Sequence, residues 1–214
     1  MGEQLLALNI GRANLHLWDG VTINSAIGKK PVTEVMLTKD GFRGDTVGNR
    51  EVHGGPDRAV CLYPLEHYQK WEEEFQKSLK RPAFGENICV ANHQEKDVFI
   101  GDTFKLGEAI IQVSQGRVPC ASISKHNGVN QLLGRVVETG YTGYFFRVLE
   151  EGLVNEESSI ELIDRKQEKF SVLAGNHLMF HDRKNLEAIR EFIELEELAE
   201  VWRNRLKKSL NELK

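Results

Sequence analysis

The sequence predicts a mainly β fold, a barrel or sandwich with peripheral helices, followed by a small C-terminal unit of three helices. Three observations carry this. Up to about residue 165, short apolar or alternating runs are broken by glycine, and most of the 19 glycines fall there. One segment with helical spacing interrupts these strands. After Asp164-Arg165-Lys166 glycine all but disappears and three amphipathic stripes follow. The predicted division of the 214 residues is a β domain over 1–167 and a separable helical unit over 168–214.

Residues 5–10 and 15–18 read as strands on either side of Gly11-Arg12-Ala13-Asn14. Asp19-Gly20 then reads as a hairpin turn into Val21-Thr22-Ile23. Residues 31–37 alternate apolar and polar as one strand. Pro64 opens a helix, since its missing N–H is not needed in a first turn. Leu65, Tyr68, Trp71, Phe75 and Leu79 give that helix one apolar stripe, and it ends before Arg81-Pro82. Thr103–Leu106 and residues 109–113 form strands joined by Gly107-Glu108. In the tail, Ser171 is predicted to cap a helix running to Phe180, and Asn185 a second with Leu186, Ile189 and Ile193 on one face. Leu195, Leu198, Trp202, Leu206 and Leu210 line a third, with Arg203, Arg205, Lys207 and Lys208 assigned to its last turns.

Composition narrows the class. Hydrophobic residues are 40% and charged residues 28%, the balance of a soluble globule. No apolar run approaches the roughly 20 residues that span a bilayer. The start, Met1-Gly2-Glu3-Gln4-Leu5, lacks the basic and apolar regions of a signal peptide, so no membrane role and a cytoplasmic location are expected. A net charge of −4 argues against a nucleic acid polymer as partner. Cys61, Cys89 and Cys120 form no C-x-x-C pair and read as reduced thiols.

Four segments could carry chemistry. They are Gly41-Phe42-Arg43-Gly44-Asp45, then the run from Val52-His53-Gly54-Gly55 to Arg58-Ala59-Val60, then Phe84-Gly85-Glu86-Asn87, and Arg117-Val118-Pro119-Cys120. Paired glycines let main-chain N–H groups approach an anion, and Arg58 could fork onto a phosphate or carboxylate. The same glycines also suit a tight loop held by its own hydrogen bonds. Cys120 follows a proline near a basic residue, a setting that favours the thiolate, the form that ligates metal or attacks as a nucleophile. A structural loop cysteine is the bland alternative. His177 and His181 stand four apart on a helix, but no third metal ligand accompanies them, so a surface pair is expected. No G-x-S-x-G elbow, G-x-G-x-x-G or Walker-type loop occurs.

Taken in order, these segments resemble the MOSC family, named after the C-terminal domain of molybdenum cofactor sulfurase. The HGG-x-D-x-A-V loop is followed by Tyr63-Pro64 with its helix, FGEN, Gly101-Asp102, R-x-P-C and the run from Gly143 to Leu149. The tail matches the YiiM-type branch of that family. The resemblance implies a MOSC-type β-barrel and a molybdenum pyranopterin cofactor, with Cys120 ligating the metal and serving as the catalytic residue. Lys30, His53, Gly54, Gly55, Arg58, Asn87 and Arg117 are the candidates for holding the cofactor. It further implies reduction of small N-hydroxylated substrates, such as N-hydroxylated nucleobases, in a detoxifying role with no need of pyridoxal phosphate. The metal is oxidised in that reaction, so a separate electron-donating reductase must restore it. Competing readings are a non-catalytic cofactor or sulfur carrier using Cys120, a cysteine hydrolase or transferase, and an interaction module docking through the tail.

Overall fold

The structure is a computed structural model and describes residues 2–48 and 54–212. The first strands are β1 (Glu3–Gln4), β2 (Ala7–Ile10), β3 (Asn14–Trp18), β4 (Val21–Ser25), β5 (Lys30–Pro31), β6 (Glu34–Thr38) and β7 (Gly41–Phe42). A short 3-10 turn (Pro56–Arg58) leads into β8 (Val60–Pro64), α1 (Leu65–Phe75) and β9 (Ile88–Val90). Then come β10 (Thr103–Leu106), β11 (Ala109–Gly116), α2 (Ser122–Asn127), α3 (Leu132–Thr139), β12 (Tyr144–Glu150), β13 (Gly152–Asn155) and β14 (Ser159–Asp164). The chain ends on α4 (Val172–Phe180), α5 (Leu186–Ile193) and α6 (Glu200–Glu212).

Nine strands form one mixed sheet in the order β1-β14-β10-β11-β12-β8-β9-β2-β5. All its ladders are antiparallel except β8 with β9. The expected barrel is not drawn as a closed ring of ladders, because this order is open from β1 to β5. Its two flanks are tied through the chain instead: Glu3 pairs with Ile160, and four residues on Ala7 pairs with Cys89. The sheet-rich body with peripheral helices is present as expected, with more helix than the sequence pattern predicts. Beside α1, residues 122–127 and 132–139 are helical, two elements that the sequence pattern does not predict.

The sheet is buried on both sides around β8, whose five residues are all buried. Val60 and Leu62 face one core with Val113, Phe146 and the tail's Phe192 and Trp202. Tyr63 joins a second core with Tyr68 and Trp71 of α1, Ile123 of α2 and Val136 of α3. Alternation along a strand sends neighbours to opposite faces, so this one strand serves both layers.

The β3–β4 hairpin forms as expected, with Asp19 (φ 51) and Gly20 (φ 76) supplying the left-handed pair of its turn. The single strand expected over 31–37 is two short ones, β5 and β6. Pro64 closes β8 and stands just before α1, one position earlier than expected. Both tail caps are in place: Ser171 Oγ accepts from Ala174 N and Asn185 Oδ1 from Ala188 N. The third tail helix starts only at Glu200, so Leu195 and Leu198 lie in its approach. Arg203 stands in its first turn, not its last. There it donates to the carbonyls of Ile193, Leu195 and Leu198 and ties down the end of α5. None of the described helices is long and apolar enough to cross a membrane.

Candidate functional site

β11 is buried almost throughout and delivers the Arg117–Cys120 loop from its C-terminal end. Arg117 N donates to Gly143 O (3.0 Å), which extends the β11–β12 pairing by one residue. Cys120 is half-buried, and its carbonyl accepts from Ile123 N (3.1 Å) at the start of α2. Cys61 and Cys89 are buried. Desolvation pushes the Cys61 thiol up and the Cys89 thiol up to about 12. Cys120 is therefore the cysteine among the three that solvent reagents reach.

The Arg117 charge acts on Cys61, Tyr63 and Glu86 and favours the ionised form of each. Burial works against it and holds the Glu86 carboxyl above the usual carboxylate range. Glu86 accepts from Tyr68 Oη and from Phe84 N (3.0 Å), while Tyr68 Oη accepts from Ala83 N (2.8 Å). The glutamate of the FGEN segment thus closes its own loop onto α1. Arg117 Nη1 is buried with no hydrogen-bond partner among the described residues.

Asn87 is the centre of a polar cluster at the start of β9. Its Oδ1 accepts from Cys61 N (3.0 Å), and its Nδ2 donates to Asn9 O (3.2 Å) and Asp45 Oδ2 (2.9 Å). Asp45 also accepts from Gly11 N (2.7 Å) and pairs with Lys29 Nζ at 2.5 Å. The sequence reading nominated Lys30, but the Lys30 side chain is exposed and takes no part in this cluster. Lys29, its neighbour on the opposite face of the chain, is the buried lysine. Asp45, Lys29 and Asn9 escaped that reading. Asp45 was visible at the end of its glycine-marked segment, whereas nothing local separated Lys29 from Lys30. Asn9 Nδ2 is another buried donor with no partner among the described residues.

The third region is the glycine loop. His53 lies outside the described residues. Gly54 (φ 93) and Gly55 (φ 97) are left-handed, and a Cβ on Gly55 would meet nothing within 4 Å. Arg58 N donates to Gly55 O (2.9 Å), closing the 3-10 turn, and burial pushes the Arg58 guanidinium pKa down against the pull of Asp57. The structure thus brings Asn87, Asp45, Lys29 and Asn9 together, sets Arg117 acting on the adjoining Cys61, and leaves Cys120 half-open on its own loop. The open surface depressions lined by Lys105, Asn155 and Glu161 and by Arg183, Arg205 and Lys208 share no residue with this region. His177 and His181 have rings 5.6 Å apart, and no group of potential metal ligands surrounds them among the described residues.

Arg117 Nη1 and Asn9 Nδ2 call for acceptors. A phosphate, a pterin carbonyl or an oxo group is rich in them, so the donor set fits a molybdenum pyranopterin.

Comparison with known proteins defines the class. The MOSC domain matches residues 49–161, and a YiiM-like, 3-alpha helix domain matches residues 171–212. The chain belongs to the MOSC-domain family, whose domains are associated with the molybdenum cofactor. It is 45% identical over 200 residues to an uncharacterised protein, YflK, of Bacillus subtilis (strain 168), covering 93% of this chain and 90% of that protein. The crystal structure of YiiM from Geobacillus stearothermophilus superposes with a TM-score of 0.81 at 31% identity, over 97% of this chain and 98% of that one. A protein named "Reductase" from Gibberella moniliformis (strain M3125 / FGSC 7600) is 33% identical over 177 residues, which are 79% of this chain but only 31% of that protein.

Proposed function

We propose that this protein binds a molybdenum pyranopterin cofactor and reduces small N-hydroxylated compounds, N-hydroxylated nucleobases among them. The observation that carries the reading is the buried Arg117 Nη1, without a partner among the described residues, on the loop that ends in the half-exposed Cys120. An unpaired buried guanidinium donor costs about 1–3 kcal/mol or more, which a bound acceptor would offset. The reductase-named relative supports the reaction class.

When bound, the cofactor would supply the redox centre that removes oxygen from N–OH, drawing electrons from a separate reductase. The chain's own residues divide the remaining work. Cys120 would ligate the metal, its sulfur being a soft donor for a sulfur-preferring site. Arg117 and Asn9 donate to acceptor atoms of the cofactor, with Arg58 and the Gly54-Gly55 N–H groups as further donors. Asn87 already has three bonds to protein. Its part is to hold β2, β8 and the Asp45 segment in register, and Lys29 fixes Asp45 in turn. The proposed compartment is the cytoplasm, where three free cysteines stay reduced.

The test uses protein made in a molybdenum-competent host. Stoichiometric molybdenum and pterin, with turnover of an N-hydroxylated base by reduced viologen, are expected. Cofactor without turnover would leave the carrier reading, and absence of both would overturn the proposal.

A further inference from the structure

The tail meets the β domain at the strand end that delivers Cys120. Ala199 N, just before α6, donates to Ser114 O (2.9 Å) on β11. Ser114 Oγ donates to Asp57 O (2.5 Å) and Phe145 O (3.0 Å), so this residue joins the glycine-loop turn, β12 and the tail. Asp57 is held from the other side by Arg147 Nη2 (2.8 Å), and its Oδ2 faces Glu200 N (3.4 Å) at the start of α6.

Two residues further along β11, Gly116 touches the tail directly. A Cβ there would collide with Asn176 Oδ1 of α4 and come within 2.9 Å of Trp202 Cη2 of α6. Neither neighbour is free to yield. Trp202 is fully buried, and Asn176 Nδ2 donates to Gly140 O (2.7 Å) and Thr142 Oγ1 (3.0 Å). Arg117 follows at once. A core packed at crystal-like density transmits such a contact rather than absorbing it.

We propose that the three-helix tail is a positioning element for the candidate site, setting the path of the Arg117–Cys120 loop through Asn176 and Trp202 packed on Gly116. The residues concerned are positioning residues, because they act through β11 and touch neither the thiol nor a ligand. The inference rests on the function proposed above only for what the loop holds.

The test reads the loop without cofactor. In the full-length apo protein, the rate of iodoacetamide alkylation is followed at each cysteine by peptide mass spectrometry. Cys61 and Cys89 are buried and report global opening, whereas Cys120 reports its loop. Gly116→Ala is expected to raise the Cys120 rate about threefold or more while the Cys61 and Cys89 rates hold. Adding Asn176→Ala removes the colliding oxygen but leaves Trp202 against the new methyl, so the double variant should reverse only part of the Gly116→Ala increase in the Cys120 rate. Trp202→Phe, a milder change on the tail alone, should also raise the Cys120 rate. An unchanged Cys120 rate in both Gly116→Ala and Trp202→Phe overturns the proposal, as does a parallel rise at all three cysteines. Pterin retention in the same variants, prepared as holoprotein, separates the two ideas. Altered Cys120 rates in the apo variants, together with a wild-type protein that takes up no pterin in a molybdenum-competent host, would sink the cofactor reading and leave the positioning role standing.

Discussion

At the scale of single residues, burial sorts groups that look alike in one dimension. Three cysteines are present, and only Cys120 is half-open. Cys120→Ser is expected to abolish reduction of an N-hydroxylated base by reduced viologen. The unfolding free energy should shift by no more than about 0.5 kcal/mol, since a loop thiol contributes little packing. Wild-type turnover in that variant would remove Cys120 from the site. The paired lysines sort in the same way. Lys29→Met strands the carboxylate of Asp45 at a position only 12% exposed, and should cost about 3 kcal/mol in urea unfolding. Lys30→Met, one residue on and exposed, should change stability by less than about 0.5 kcal/mol. Equal costs would mean that the Asp45 pair is not what holds this corner.

At the scale of elements, local chemistry was legible where one residue does one local job. Ser171 and Asn185 each accept from the N–H three residues on, so Ser171→Ala and Asn185→Ala should each lower stability by about 1 kcal/mol. A glycine at either position should recover most of that loss, because it needs no side chain to adopt the cap conformation. The Asp19-Gly20 hairpin was legible for the same reason. What escaped were α2 and α3. Both are short, their N-caps make no side-chain hydrogen bond, and their apolar residues Ile123, Leu132 and Val136 become informative only against Tyr63 and Trp71. Arg203 was assigned to the wrong end of a helix because its partners are the carbonyls that finish α5, on a different element.

At the scale of the whole molecule, the tail and the sheet share one core. Phe170, Leu178, Phe192 and Trp202 pack in the same cluster as Val98, Ile100 and Val113. Arg165, in the polar stretch between the two, is anchored to the buried Asp102 at 2.7 Å. The division at 167/168 drawn from the sequence therefore falls in a densely connected place. Each large apolar side chain left without its partners forfeits about 1.5–3 kcal/mol, against a whole-domain stability of about 5–15 kcal/mol. The full chain should unfold in one calorimetric transition, and a chain of residues 1–167 should lose its cooperative transition at room temperature. Two resolved transitions in the full chain, or a well-folded 1–167 fragment, would instead establish two independent units.

The sequence by itself determined the family, the strand-rich body and the helical tail with its caps, and it nominated the segments of the candidate site. Those features are written in local spacing, turn chemistry and the order of motifs, which do not depend on what lies across the molecule. Only the tertiary structure decided which lysine is buried, that Asp45 and Asn9 join Asn87, that Arg117 carries an unpaired buried donor, and that the tail presses on Gly116. The physical reason is the same in each case. Burial, pairing and steric contact are properties of two segments at once, and the partners here stand tens of residues apart in the chain, brought together only when the sheet and helices close on a common core.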